Sequence, residues 1–172
     1  MKDKTFNLMD VVIRRLERAD AHQLAHFYNR LSQASKRTFR PIGPLAIPEK
    51  CSEIAELNCT TDSQCAMNYD LIAVYDQMVI GWSFLWELKP GPPTFGLAVA
   101  DAYHRMGIGA RLMDNVLTWA KHHGIPEIIL TVVQDNDVAW QLYEKMGFAK
   151  TGTFTGEDSL PYFHMKAELY VP

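Results

Sequence analysis

Six residues, His104-Arg105-Met106-Gly107-Ile108-Gly109, narrow the choice of fold more than anything else in the chain. Before them, Phe95-Gly96-Leu97-Ala98-Val99 reads as a short buried strand, bounded by Gly91-Pro92-Pro93 and by polar Asp101. After them, Ile108, Leu112, Met113, Val116, Leu117 and Ala120 recur at helical spacing and make one apolar face. Glycines at this junction let the backbone turn tightly and leave it uncovered by side chains. The free amides of the first helical turn then point outward, and the helix dipole adds positive potential. Strand, bare loop and helix together make a seat for a diphosphate.

Three kinds of protein use such a seat. A Walker loop needs Gly-x-x-x-x-Gly-Lys-Ser/Thr, and no Lys-Ser or Lys-Thr follows these glycines. The dinucleotide fingerprint needs a third small residue where Leu112 stands, although Asp135 follows the next strand as its acidic residue would. The third is the GNAT acetyltransferase superfamily, whose pyrophosphate loop has the form Arg/Gln-x-x-Gly-x-Gly/Ala. His104 to Gly109 resembles it, with Tyr103 and Leu112 also in keeping. His104 departs from the pattern, standing where Arg or Gln is usual, but backbone amides do most of the gripping in this family. A second stretch, Asn136 to Phe148, resembles the family signature Asn-x-x-Ala-x-x-Leu-Tyr-x-Lys-x-Gly-Phe at every fixed position: Asn136, Ala139, Leu142, Tyr143, Lys145, Gly147 and Phe148. The two motifs come in the family's order, one strand apart.

Length and composition agree with a globular protein. At 172 residues, 1–172 reads as one N-acetyltransferase domain, long enough to bury a core. Net charge is −3 with no run of lysines or arginines, so nothing points to nucleic acid or an anionic membrane as partner. No window approaches 18 uninterrupted apolar residues, and Met1-Lys2-Asp3-Lys4 lacks the apolar core of a signal peptide, so the expected location is cytoplasmic. Cys51, Cys59 and Cys65 are odd in number and include no Cys-x-x-Cys pair, which favours reduced thiols over a disulfide frame or zinc site.

In chain order, Val11-Val12-Ile13 marks a first strand. Asp20 is the expected cap of a helix whose apolar stripe is Leu24, Phe27, Tyr28 and Leu31. His22 and His26, four apart on that helix, could be half a metal site, but no third ligand completes it and no metal is expected. Ser32 to Pro48 reads as a loop broken by Pro41, Gly43, Pro44 and Pro48. It carries Lys36, Arg37, Phe39 and Arg40. In the family it resembles, this region lies over the acceptor site, which would let Phe39, Arg37 and Arg40 read an acceptor; the alternative is a capped connection with a solvated basic face. Pro48 to Cys59 reads as a helix burying Ile54 and Leu57, and Thr60 to Ala66 as a turn. Tyr69 to Tyr75 and Met78 to Glu87 are strands joined at Asp76-Gln77. Gly124 stops the helix after the seat, Glu127 to Val133 is a branched strand, and a strand–helix–strand of this length implies parallel pairing. Gly147 ends the last helix; Phe148 to Phe154 and Tyr162 to Leu169 are the closing strands, with Thr155 to Pro161 between.

The resemblance implies an α/β fold: a mixed central sheet of about seven strands with helices on both faces. Its middle parallel pair splays apart to admit the coenzyme's pantetheine arm. The implied chemistry is direct transfer of an acetyl group from acetyl-CoA to a primary amine on a small molecule, an amino acid, or a protein N-terminus or lysine. Leu97, Ala98 and Val99 would meet the pantetheine arm. Arg105, Met106, Gly107, Ile108, Gly109 and Ala110 would bind the pyrophosphate, with His104 at the loop's edge. Asn136 and Ala139 would contact the coenzyme from the other side, and Tyr143 would both line the site and protonate the leaving thiolate. Some members place a Glu on the central strand as general base, but Phe95 to Val99 has no acidic residue. Glu87 is the preferred candidate, with Asp101, Glu157, Asp158 or a water as alternatives. Relatives often pair through their late strands, which leaves a homodimer open. Two other readings stand: a non-catalytic acyl-CoA-binding sensor or interaction domain of the same fold, and a nucleotide-binding oxidoreductase.

Overall fold

A computed structural model describes residues 6–58 and 67–169. Seven strands form one sheet in the order β1-β2-β3-β4-β5-β7-β6. These are β1 (Val12–Arg15), β2 (Asn68–Tyr75), β3 (Met78–Trp86), β4 (Thr94–Val99), β5 (Glu127–Val133), β6 (Ala149–Thr155) and β7 (Pro161–Glu168). Neighbours run antiparallel except β4 and β5, which are parallel. The five α-helices are α1 (Ala21–Arg30), α2 (Gln33–Thr38), α3 (Pro48–Leu57), α4 (Ile108–His122) and α5 (Asp137–Lys145). Fold class and parallel pair match the expectation from sequence.

Alternation along the strands separates two cores. On one face Leu71, Ala73, Ile80 and Leu85 pack with Leu112, Met113, Val116 and Ala120 of α4. On the other, Ile72, Trp82 and Phe84 pack with Leu24, Phe27 and Tyr28 of α1 and with Cys51 and Ile54 of α3. The six residues read as the apolar face of α4 are its buried residues. Asp76 and Gln77 both have positive φ, 48° and 62°, as a tight two-residue hairpin demands. Gly124 follows α4 with φ 69°.

Four local expectations are corrected. Asp20 does not cap α1 with its side chain. A 3-10 turn over Arg18–Asp20 precedes the helix, and the carboxylate folds back onto the Glu17 amide (3.0 Å) and the Arg14 fork (2.6 and 2.7 Å). The Ser32–Pro48 stretch contains a helix, α2, which Ser32 starts by accepting from the Ser35 amide at 3.1 Å. α3 ends at Leu57 rather than Cys59. Leu57 is exposed: the buried stripe is Cys51 and Ile54, and at the helix end Asn58 turns inward instead, donating to the carbonyls of Leu16 and Asp70. Thr60 to Ala66, Cys59, Cys65 and Met1 to Lys4 lie outside the described residues. Cys51 is a buried free thiol.

One charged residue is wholly buried. Asp70, on β2, is fully enclosed and accepts the indole N–H groups of Trp82 (2.9 Å) and Trp86 (3.2 Å). Burial pushes its carboxyl up from 3.8 to about 7, against the opposing pull of the two indoles. Its folded-state value thus exceeds its unfolded one, so the fold holds this proton longer than the open chain does. The contribution is fully present below about pH 4 and is lost as pH rises through about 7. Asp70→Asn keeps an acceptor for the indoles without a titrating group. Denaturant unfolding from pH 4 to 8 is expected to show a wild-type decline that the variant lacks; parallel curves would refute the assignment.

Candidate active site

β4 is fully paired on one side and almost unpaired on the other. Residues 94–99 each face a partner on β3, but Thr94 opposite Ile129 is the one pairing in register with β5. The Ile129 amide donates to the Pro93 carbonyl at 3.0 Å, and beyond that point the strands separate. The Ala100 amide donates to Ile80 at 2.8 Å, so alternation turns the N–H and C=O groups of Leu97 and Val99 the other way, toward β5. The strands diverge toward the Val99 end, where the seat lies.

At that end Gly107 begins α4 with φ 82°, a conformation L side chains rarely adopt. The first helical bond is from the Arg111 amide to the Gly107 carbonyl (3.1 Å), which leaves the N–H groups of Ile108, Gly109 and Ala110 without helical partners. A Cβ on Gly109 would stand 3.5–3.8 Å from Leu97, Leu142 and Val99, ordinary contact distances, so packing does not demand this glycine. Its bareness keeps the floor of the cleft low. Asn136 caps α5 across the gap, accepting from the Ala139 amide.

A cleft of about 770 Å³ joins these parts. Of the residues singled out from sequence, it is lined by Leu97, Ala98, Val99, His104, Arg105, Gly107, Ile108, Gly109, Ala110, Asn136, Ala139 and Tyr143. Met106 points away and is 39% exposed. Glu87 is not brought to the cleft. It is exposed just past β3, with φ 62°, and accepts a long 3.5 Å bond from Thr94 Oγ1. Thr94 is five residues from Val99, roughly 17 Å of extended chain. His22 and His26 are exposed, and among the described residues no group of three metal-ligating side chains occurs.

His104 Nε2 stands 2.8 Å from the Val99 carbonyl. A carbonyl only accepts, so Nε2 carries the proton, and one of the gap-facing groups of β4 is already taken. Nearby Asp101 accepts from the Ser32 amide (2.9 Å), Ser32 Oγ (2.6 Å) and Ser35 Oγ (2.7 Å). Burial works to raise its carboxyl, but these donors and the neighbouring His104 outweigh it and hold it down at about 2. Tyr143 is buried with its ring edge-on to Phe95 at 6.0 Å, and burial pushes its phenol up. Among the described residues its hydroxyl has no hydrogen-bond partner.

One wall is formed by Ala34, Ser35, Arg37, Thr38 and Phe39 of α2 and its end; Arg37 and Phe39 were singled out from sequence, whereas the helix that carries them was not. Ser32 as a cap was the available signal. Phe39 is buried against Trp82 (5.6 Å, edge-on) and Phe84 (6.0 Å), so it anchors the wall rather than presenting a free ring. Lys36 donates to the Asn29 carbonyl, Arg37 pairs with Asp135, and Arg40 pairs with Asp158. Packing on β4 requires Gly96, where a Cβ would fall 2.1 Å from Phe84 Cζ. Gly96→Ala is expected to destabilise the protein by about 1–3 kcal/mol through overpacking, read as a lower denaturant midpoint with an unchanged slope. A midpoint equal to wild type would show that the Phe84 ring yields without cost.

A family model described as acetyltransferase (GNAT) matches residues 31–148. No protein of curated function matches the sequence. Solved structures match the fold over nearly its whole length. A GNAT-family acetyltransferase from Streptococcus pneumoniae superposes with TM-score 0.78 at 23% identity, over 93% of this chain and 99% of that one. A ribosomal-protein-alanine N-acetyltransferase from Brucella melitensis gives 0.75 at 20% identity, over 92% and 99%. An N-acetyltransferase from Staphylococcus aureus gives 0.75 at 17%, over 93% and 99%. At these identities the likeness is one of fold.

Proposed function

The chain belongs to the GNAT acetyltransferase family, and from that premise we propose that it moves an acetyl group from acetyl-CoA to a primary amine by direct transfer. The observation that carries this reading is the continuity of the cleft. It runs from the amides at the start of α4 that lack helical partners along Leu97, Ala98 and Val99 of β4, past the point where that strand has parted from β5, and its wall includes Tyr143. The helix start suits the diphosphate of the coenzyme. The Leu97 N–H and C=O and the Val99 N–H suit the amides of its pantetheine arm, which would lie in the gap as a further strand does. Acetyl-CoA would supply the activated thioester; the protein holds it beside the amine, an arrangement worth the equivalent of about 7–11 kcal/mol in an oriented pair.

Tyr143 donates the proton that the leaving thiolate takes up. Burial pushes its phenol upward, which keeps it protonated, and its hydroxyl is not committed elsewhere among the described residues. The carboxylates at the cleft are poorly suited to act as base. Three donors hold Asp101 at about 2, and Asp135 is engaged by Arg37. Glu87 stands outside the cleft. The acceptor ammonium therefore loses its proton to water before or during attack.

Calorimetric titration with acetyl-CoA tests the seat. Wild type is expected to bind in the micromolar range. Gly109→Trp, whose ring would fill the space beside Leu97 and Leu142, is expected to lose that binding while keeping its melting temperature. Absence of binding to wild type would sink the acetyl-CoA reading. Once an acceptor is in hand, Tyr143→Phe is expected to lower kcat by about 10²–10⁴-fold with coenzyme affinity nearly unchanged. An unaltered kcat would remove Tyr143 from the chemistry, and a wild type that binds coenzyme yet acetylates no amine would favour the sensor reading.

A further inference from the structure

Arg37 and Arg40, three residues apart on and just beyond α2, each meet an aspartate from another loop. The two pairs are not equivalent. Asp158 lies at the surface with its side chain 22% exposed, and besides Arg40 it accepts the Tyr162 hydroxyl (2.7 Å) and the Leu160 amide (3.1 Å). It is a saturated carboxylate that fastens the end of α2 to the β6–β7 loop. Asp135 is 60% exposed, and its one side-chain partner is the Arg37 fork, which it meets with both oxygens at 3.0 and 2.8 Å. Arg37 itself is 41% exposed. Both residues line the cleft, Arg37 from the α2 wall and Asp135 from the loop entering α5. An ion pair this open to water contributes little stability and exchanges partners readily.

We propose that Arg37 is the specificity-determining residue for the acceptor: its guanidinium fork takes the carboxylate of a small amino-acid-like amine, and Asp135 stands in for that carboxylate when the acceptor is absent. A planar fork matched two-to-two to a carboxylate is the geometry by which arginine selects this group. The other basic residues of α2 cannot serve, because Lys36 is held on the Asn29 carbonyl and Arg40 on the saturated Asp158. The way α2 is fastened also favours a small acceptor. Ser32 and Ser35 hold its start on Asp101, and Arg40 holds its end on Asp158, so it stays down over the cleft. Amines without a carboxylate, polyamines included, would leave Arg37 on Asp135 and gain nothing from it.

This inference rests on the coenzyme reading of the cleft, so both are measured on the same samples. Protein is first titrated with CoA. The CoA-loaded protein is then titrated with the common L-α-amino acids, each against its own carboxamide. Binding is read directly, so the outcome does not depend on turnover. At least one amino acid is expected to bind ten-fold or more tightly than its amide. Asp135→Asn, by removing the internal competitor, is expected to tighten that amino acid further, whereas Arg37→Ala and Arg37→Lys abolish the preference, the lysine variant because it keeps the charge and loses the fork. Amino acids and amides that bind alike, or that both fail to bind to a CoA-loaded wild type, would overturn the proposal. So would an Asp135→Asn variant weakened as much as Arg37→Ala, the signature of a pair that only braces α2. Failure of CoA itself to bind would instead overturn the coenzyme reading on which the proposal rests.

Discussion

Everything in the site follows from two parallel strands that meet once and then part. Backbone N–H and C=O groups buried without partners are costly, so a sheet does not open without cause. β4 and β5 are each held on the side away from the gap: β4 pairs along its whole length with β3, and all seven residues of β5 pair with β7. Each half of the sheet is therefore complete without the other, and among the described residues the two pair in register only at Thr94 and Ile129. The divergence leaves Leu97 and Val99 with groups directed into a cleft rather than a ladder. An opening lined by backbone N–H and C=O groups is thus a by-product of how the two half-sheets are anchored.

The borders of that opening are set by side chains with ordinary structural reasons to be where they are. Phe84 lies across Gly96, joins Trp82 and Phe39 in an aromatic cluster, and so brings the end of α2 down beside β4. Below the cluster, Trp82 and Trp86 aim their indole N–H groups at Asp70, a buried acceptor that pins both rings. Asp101 links the start of α2 to the loop that leads into the diphosphate seat. The two walls of the cleft are therefore not independent: the loop carrying His104 and Arg105 is the same loop on which α2 rests.

How much of this could be read in the sequence depends on whether the information was local. The α4 face, the hairpin at Asp76-Gln77 and the Gly124 stop depend on residues within a turn or two of each other, and they fold as their spacing says. Pro41 to Pro48 hid α2, because a short polar helix has no apolar stripe and Ser32 alone announced it. Asp20 misled for the opposite reason. An aspartate before a helix is a good cap unless an arginine fork competes for it, and Arg14 is brought alongside by the strand. The helix start at Gly107 was legible because glycine spacing is a local property. Glu87 lies away from the cleft because its distance from it depends on which end of β4 opens, and the pairing of β4 with β5 decides that.

The same distinction separates the general part of the site from the part that discriminates. Amides at a helix start and backbone groups in a gap carry no side-chain identity, so they persist in folds that share a fifth of their residues. The α2 wall works the other way. Of the four residues noted there from sequence, Phe39 is spent on the core, Lys36 on a carbonyl and Arg40 on a carboxylate with two further donors. Arg37 is left facing the cleft with a partner that water already reaches. A basic stretch that looks uniform in sequence is sorted by three-dimensional contacts into three structural roles and one exchangeable one, and selectivity follows from that sorting rather than from net charge.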